Sequence, residues 1–175
     1  MSAQILIAGV GNIFLGDDGF GVEVANRMAA LPQPEGVVVA DYGIRGVHLA
    51  YELLDGYDAL VLVDAVPMGQ EPGTVALIEP DLDSLASADD DEAGAGAAMD
   101  AHSMNPAVVL GMLGSMGGKV GRVVVVGCEP SMIEEGIGLS APVAAAVDRG
   151  VEAVLDVLAE LRVLSEDPNE ERSRT

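Results

Sequence analysis

Four short stretches of this chain carry no polar side chain: Ile5-Leu6-Ile7-Ala8, Val37-Val38-Val39-Ala40, Leu60-Val61-Leu62-Val63 and Val123-Val124-Val125-Val126. A strand with one wet face alternates apolar and polar residues. An unbroken apolar run is a strand covered on both faces, which calls for a parallel sheet with helices on each side. A further run, Val75-Ala76-Leu77-Ile78, follows the third after only residues 65–74, with Pro67, Gly69, Pro72 and Gly73 inside that gap. A parallel crossover needs about a dozen residues or more, so this strand is expected to run antiparallel. The expectation is an α/β fold with a mixed, mostly parallel five-stranded sheet.

Helical patterns fill the other gaps. Phe20, Val24 and Met28 line one face of a first helix, Val47, Tyr51 and Leu54 suggest a second, and residues 106–116 a third. In the last, Val143, Val147, Val151, Val154, Leu158 and Leu161 recur at helical spacing, with Ser140 as N-cap and Pro142 in the first turn. One α/β domain is expected over 1–164. Residues 81–99, rich in Asp, Ala and Gly, read as a mobile loop, and 165–175 as a disordered acidic tail.

Eight basic against 29 acidic residues give a net charge of −21. Such a surface repels nucleic acid and anionic membranes and favours a cation or a basic polypeptide. Much of the charge lies in two blocks, 81–91 and 166–171, which read as solvated segments. No apolar run is long enough to span a bilayer, and no basic-then-apolar leader opens the chain. The single cysteine, Cys128, fits a reducing compartment, so the expected location is the cytoplasm.

Between the first strand and first helix runs Gly9-Val10-Gly11-Asn12-Ile13-Phe14-Leu15-Gly16-Asp17-Asp18-Gly19-Phe20-Gly21. Nucleotide-binding loops occupy this position, but the dinucleotide fingerprint needs Gly where Phe14 stands, and a phosphate loop needs Lys where Asp17 follows Gly16. The loop has the backbone of an anion site and the charge of a cation site. One of the two acids can cap the helix; two adjacent acids exceed what a cap requires.

Other acids fall at strand ends: Asp41 ends the second strand, Asp64 ends the third, and Glu129 follows the last. Ligands of open α/β sheets bind outside the carboxyl ends of the strands. A turn-forming Asp explains each of these singly; their convergence with Asp18 on one edge favours a site. His102, just before the third helix, is biased toward the neutral, metal-binding form. With Asp18 and Asp64 it makes a set of two carboxylates and one imidazole suited to zinc, nickel or iron. His48 reads as a packing or surface residue, and Cys128 as a buried free cysteine.

Together these segments resemble the hydrogenase maturation proteases. The matching stretches are GVGNIFLGDDGFGVEVANRM, ADYGIRG, LVLVDAVPMGQEPGT, DAHSMNP, VGCEP and GIGLSAPV, in that order across residues 4–162. The resemblance implies a monomeric, three-layer α/β/α fold. It implies that Asp18, Asp64 and His102 form the metal site and that Asp41 serves recognition or cleavage, so that Asp41, Asp18 and Asp64 are the candidate catalytic carboxylates. It also implies removal of the C-terminal extension of a nickel-iron hydrogenase large-subunit precursor after nickel insertion. Nickel then arrives with the substrate, and zinc or cadmium can take the same ligands in vitro.

Two mechanisms fit. A bound metal could activate water for attack on the peptide bond. Alternatively, the three ligands grasp nickel already in the precursor, and a carboxylate such as Asp41 assists the water. The second is favoured, because nickel-gated cleavage requires sensing that nickel. Two rivals compete with the peptidase. A nucleotide-binding oxidoreductase domain would use Asp41 as its ribose acid, against which Phe14, Asp17 and Asp18 weigh. A non-enzymatic nickel-binding accessory protein would show His-rich or Cys-rich tracts, and this chain has two His and one Cys.

Overall fold

The computed structural model describes residues 3–80 and 106–166, with side chains to residue 163. The expected loop at 81–99, His102 and the tail beyond 166 lie outside the described residues. In chain order the elements are β1 (Ile5–Val10), a 3-10 turn (Gly16–Gly19), α1 (Phe20–Ala29), β2 (Val37–Gly43), α2 (Gly46–Leu53), β3 (Ala59–Ala65), β4 (Val75–Ile78), α3 (Pro106–Ser115), β5 (Arg122–Cys128) and α4 (Ala141–Glu166). The last helix thus carries through Ser165 and Glu166, where the tail was expected to begin.

The strands form one five-stranded sheet in the order β2-β1-β3-β5-β4. All neighbours are parallel except β4, which runs antiparallel to β5. The expected direction of β4 is therefore observed, but it does not pair with β3, the strand before it. Residues 66–74 instead cross over the carboxyl end of β5. There the Val66 N–H donates to the Cys128 carbonyl at 2.9 Å, the Gly73 N–H to the Glu129 carbonyl at 2.9 Å, and the Glu129 N–H back to the Thr74 carbonyl at 2.9 Å. The buried Glu129 side chain accepts from the Met68 N–H, so this strand-end acid holds the crossing in place.

Both faces of the sheet are covered over β1, β3 and β5, as their unbroken apolar runs require, whereas the run of β2, at the sheet edge, is only partly covered and leaves Val38 exposed. Ile5 and Ile7 of β1 pack with Phe20, Val24 and Met28 of α1 and with Val143, Val147, Val154 and Leu158 of α4. Leu6, Ala8 and Val10 pack on the other face with Leu49 and Leu53 of α2 and Val109 and Leu113 of α3. The apolar stripes expected on α1 and α4 face this core. The stripe expected on α2 does not: Val47, Tyr51 and Leu54 are exposed, and Leu49, Ala50 and Leu53 are inside. The helix is apolar nearly all round, so spacing alone leaves its inward face undetermined.

The first helix sits unusually close to the strands. A Cβ on Gly21 would lie 2.0 Å from the Val63 carbonyl oxygen and 2.5 Å from that of Val10. Only glycine lets α1 begin directly over the ends of β1 and β3, and this sets the height of the loop before it.

Candidate active site

The carboxyl ends of β1, β2 and β3 meet beneath the Gly-rich loop. The chain leaves β1 through Gly11, whose φ of +126° lies in the region that favours glycine. A Cβ there would fall 1.9 Å from the Asp18 carbonyl oxygen and 3.5 Å from Asp64 Oδ1. Gly11 therefore lets the backbone fold over so that the turn bearing Asp18 reaches the end of β3, where Asp64 sits. The Gly11 N–H donates to the Gly43 carbonyl at 2.9 Å, tying the same point to the end of β2.

Asp18 is half-buried, and its Oδ2 accepts the Asn12 N–H at 2.7 Å. Burial pushes its carboxyl upward, with the Asn12 hydrogen bond acting in the opposite sense. Asp64 is displaced further. Burial first, and the Asp18 charge second, push it up to about 8 against a lowering hydrogen bond from the Ala65 N–H. Two partly desolvated carboxylates whose charges oppose each other favour a proton or a cation between them. Among the described residues, no three His, Cys, Asp or Glu side chains are grouped to hold a metal ion. The pair brought together here is Asp18 and Asp64, and His102 lies outside the described residues.

Asp41 sits near the end of β2, as Asp64 does in β3, and pairs in register with Gly9. It is exposed, and its backbone carbonyl accepts Arg45 Nη2 at 2.5 Å. Alternation along β2 places it with Val37 and Val39, on the side of α1 and α4, whereas Asp64 shares the parity of Leu60 and Leu62 on the opposite side. Beside Asp64 on that opposite side lies an apolar pocket of about 230 Å³, lined by Val10, Leu62, Val66, Ile78 and Val125 among others. Cys128 is the last residue of β5 and is buried. Burial above all holds its thiol up at about 11, which suits a packed and unreactive cysteine.

Sequence reasoning missed the role of Asp17. Neither Asp17 nor Asp18 caps a helix: the residue before the 3-10 turn and the one before α1 make no side-chain cap bond. The fully buried Asp17 turns away from Asp18 and accepts the N–H groups of Ser131 (2.8 Å), Met132 (2.8 Å) and Ser140 (2.7 Å), and the Ser140 hydroxyl (2.8 Å). Burial disfavours its charge, but the bonds from Met132, Ser140 and Ser131 prevail and leave the carboxyl below its usual range. The one advance signal was the doubled acid itself: adjacent residues in a tight turn point apart, so the two carboxylates serve different partners.

The family model for hydrogenase maturation proteases matches residues 22–157. A putative hydrogenase maturation protease of Methanocaldococcus jannaschii is 37% identical over 156 residues, covering 87% of this chain and 94% of that protein. The hydrogenase expression/formation protein HupD of Rhizobium leguminosarum is 30% identical over 158 residues, covering 89% of this chain and 74% of the relative. Among solved structures, the hydrogenase maturating endopeptidase HybD from E. coli superposes with a TM-score of 0.73 at 29% identity, covering 90% of this chain and 93% of that one. With a matching family model, relatives over nearly its full length and the same three-layer fold, this chain is a peptidase belonging to the hydrogenase maturation protease family.

Proposed function

We propose that this peptidase removes the C-terminal extension of a nickel-iron hydrogenase large-subunit precursor in the cytoplasm, and that it does so only when the precursor carries nickel. The observation that supports this most directly is the Asp18–Asp64 pair at the strand ends, where burial and the Asp18 charge push Asp64 up to about 8 and so favour a cation between them. Nickel bound to the precursor is the cation. Asp18 and Asp64 supply two oxygen ligands, and His102 supplies the neutral third. Binding then reports whether the precursor is loaded and sets its backbone against the site.

A water molecule attacks the scissile carbonyl, and a carboxylate accepts its proton. Asp41 is assigned that role: it leaves β2 on the side opposite Asp64, but it is exposed and pairs in register with Gly9, where the Gly-rich loop begins. The carbonyl carbon gains the water oxygen, the C–N bond breaks, and the proton passes to the departing amine. The nucleotide-binding and carrier readings lose ground to family membership. The amides of the Gly-rich loop are also engaged within the protein: Gly11 N–H on the Gly43 carbonyl, Asn12 N–H on Asp18, Gly16 N–H on the Gly136 carbonyl and Asp17 N–H on the Met132 carbonyl.

The test is to incubate the chain with nickel-loaded and nickel-free precursor and follow the products by mass spectrometry. Cleavage of the loaded form alone is expected. Equal cleavage of both forms removes the nickel gate, and cleavage of neither removes the reading.

A further inference from the structure

We propose that an apolar rim beside the carboxylate pair, formed by Phe14 on the Gly-rich loop and by Met132, Ile133 and Ile137 on the loop at 131–140, docks an apolar, basic-flanked segment of the precursor. The proposal rests on the reading of the chain as a peptidase of that precursor.

The rim joins two loops distant in sequence. Leu15 and Gly136 form a parallel bridge, with the Gly16 N–H donating to the Gly136 carbonyl at 2.9 Å and the Gly136 N–H to the Phe14 carbonyl at 2.9 Å. Phe14 and Ile137 each stand one residue from the bridged pair. Below the bridge, the Asp17 N–H donates to the Met132 carbonyl at 3.0 Å, while the buried Asp17 carboxylate gathers the Ser131, Met132 and Ser140 amides. The backbone here is pinned from beneath, yet the side chains above are offered to solvent: Phe14 is 59% exposed and Ile137 81% exposed. An apolar cluster on so constrained a backbone is preorganised for a partner.

The rim is also connected to the site. Asn12 donates its N–H to Asp18 Oδ2 at 2.7 Å and accepts the Phe14 N–H on its own Oδ1 at 2.9 Å. A chain presenting a cation to Asp18 and Asp64 therefore has the rim within its reach. Charge selects the occupant. Glu134 and Glu135 are exposed on the same loop, which has no Lys or Arg between residues 131 and 140. A second copy of this chain would bring each pair of glutamates toward its own counterpart across a two-fold contact, and like charges disfavour that. A polypeptide with apolar residues flanked by Lys or Arg fits both features.

The test uses the full chain with two double variants, Phe14→Ser with Ile137→Ser and Glu134→Gln with Glu135→Gln. Binding of nickel-loaded precursor and its cleavage are measured separately. For the first variant, Kd and KM should rise about tenfold. Its kcat at saturation, its melting temperature and its affinity for nickel alone should not change. For the second, a smaller rise in Kd should fade at high salt. Wild-type Kd in the Phe14/Ile137 variant overturns the proposal. So does a wild-type dimer, seen by sedimentation, that this variant abolishes, because the rim would then belong to a second copy. Wild-type chain that binds the precursor through the rim but does not cut it leaves the docking surface standing and sinks the reading that this precursor is its substrate.

Discussion

Ser140 gives the Asp17 carboxylate both of its donors, the amide N–H at 2.7 Å to Oδ1 and the hydroxyl at 2.8 Å to Oδ2. One residue thus joins the start of α4 to the turn carrying Asp18. Ser140 holds the N-cap position, since its carbonyl accepts the Ala144 N–H at 2.8 Å, but its hydroxyl serves Asp17. Asp17→Asn would turn an amide N–H₂ toward N–H donors and leave buried groups unpaired. Stability should fall by about 2–4 kcal/mol in urea titrations. Because the folded Asp17 carboxyl lies below its ordinary value of 3.8, its contribution is present above that value and is lost as pH falls through the folded one. The variant should therefore lose part of the acid-unfolding limb. An unchanged urea midpoint would show that the clamp adds nothing.

Asp64 works in the opposite sense. Its folded carboxyl sits near 8 against an ordinary 3.8, so folding favours the protonated form. That contribution is complete below the ordinary value and is lost as pH rises toward 8. The metal-free chain should become less stable between pH 4 and pH 8, the two values between which this carboxyl is displaced. Asp64→Asn should flatten that slope and raise the melting temperature at the alkaline end. A slope identical to wild type would place the ionisation elsewhere.

Divalent-ion binding must expel the Asp64 proton. Calorimetry at neutral pH in buffers of different ionisation enthalpy should reveal proton release, and affinity should climb as pH approaches 8, the value of the free carboxyl. No buffer dependence would show that Asp64 is already ionised or is not a ligand.

Asp18→Asn and Asp64→Asn each keep shape and remove an anionic ligand. Nickel affinity and cleavage of loaded precursor should fall by more than the roughly 100-fold that loss of an outer-shell partner can cost. His102→Ala leaves both carboxylates, so binding of a bare divalent ion should suffer less than cleavage. Each variant should fold, as none loses core volume. Wild-type cleavage by any one of them would remove that residue from the site.

Gly21→Ala tests the fold beneath the site. Its Cβ would fall 2.0 Å from the Val63 carbonyl oxygen, which is rigid sheet backbone. The helix must lift, and the Asp18 turn with it. We expect a destabilisation of about 3 kcal/mol or more, with loss of cleavage even at permissive temperature. A variant with wild-type melting temperature would show that α1 is free to shift.

The sheet was legible because its signal is strong and local: residues such as Ile5 to Ala8 and Val123 to Val126 are apolar without interruption, and only a strand buried on both faces needs that. The direction of β4 followed from the shortness of the gap before it. Its partner did not, because insertion of β5 depends on where 66–74 crosses, a contact between Val66 and Cys128 that spacing does not encode. The inward face of α2 was misjudged because apolar residues occupy both sides of that helix. At the site, the Asp18–Asp64 approach followed from loop and strand-end positions. The clamp from Asp17 to Ser140 spans 123 positions and became visible only in three dimensions.

The placement of β5 between β3 and β4 has a consequence for the growing chain. As synthesis proceeds, β1, β2 and β3 emerge first and can pair with one another at once. β4 emerges next, but its ladder partner has not yet been made, and both its edges stay open until residues 122–128 leave the ribosome. A pause or truncation between these segments should expose a bare strand edge and invite pairing with a neighbouring nascent chain.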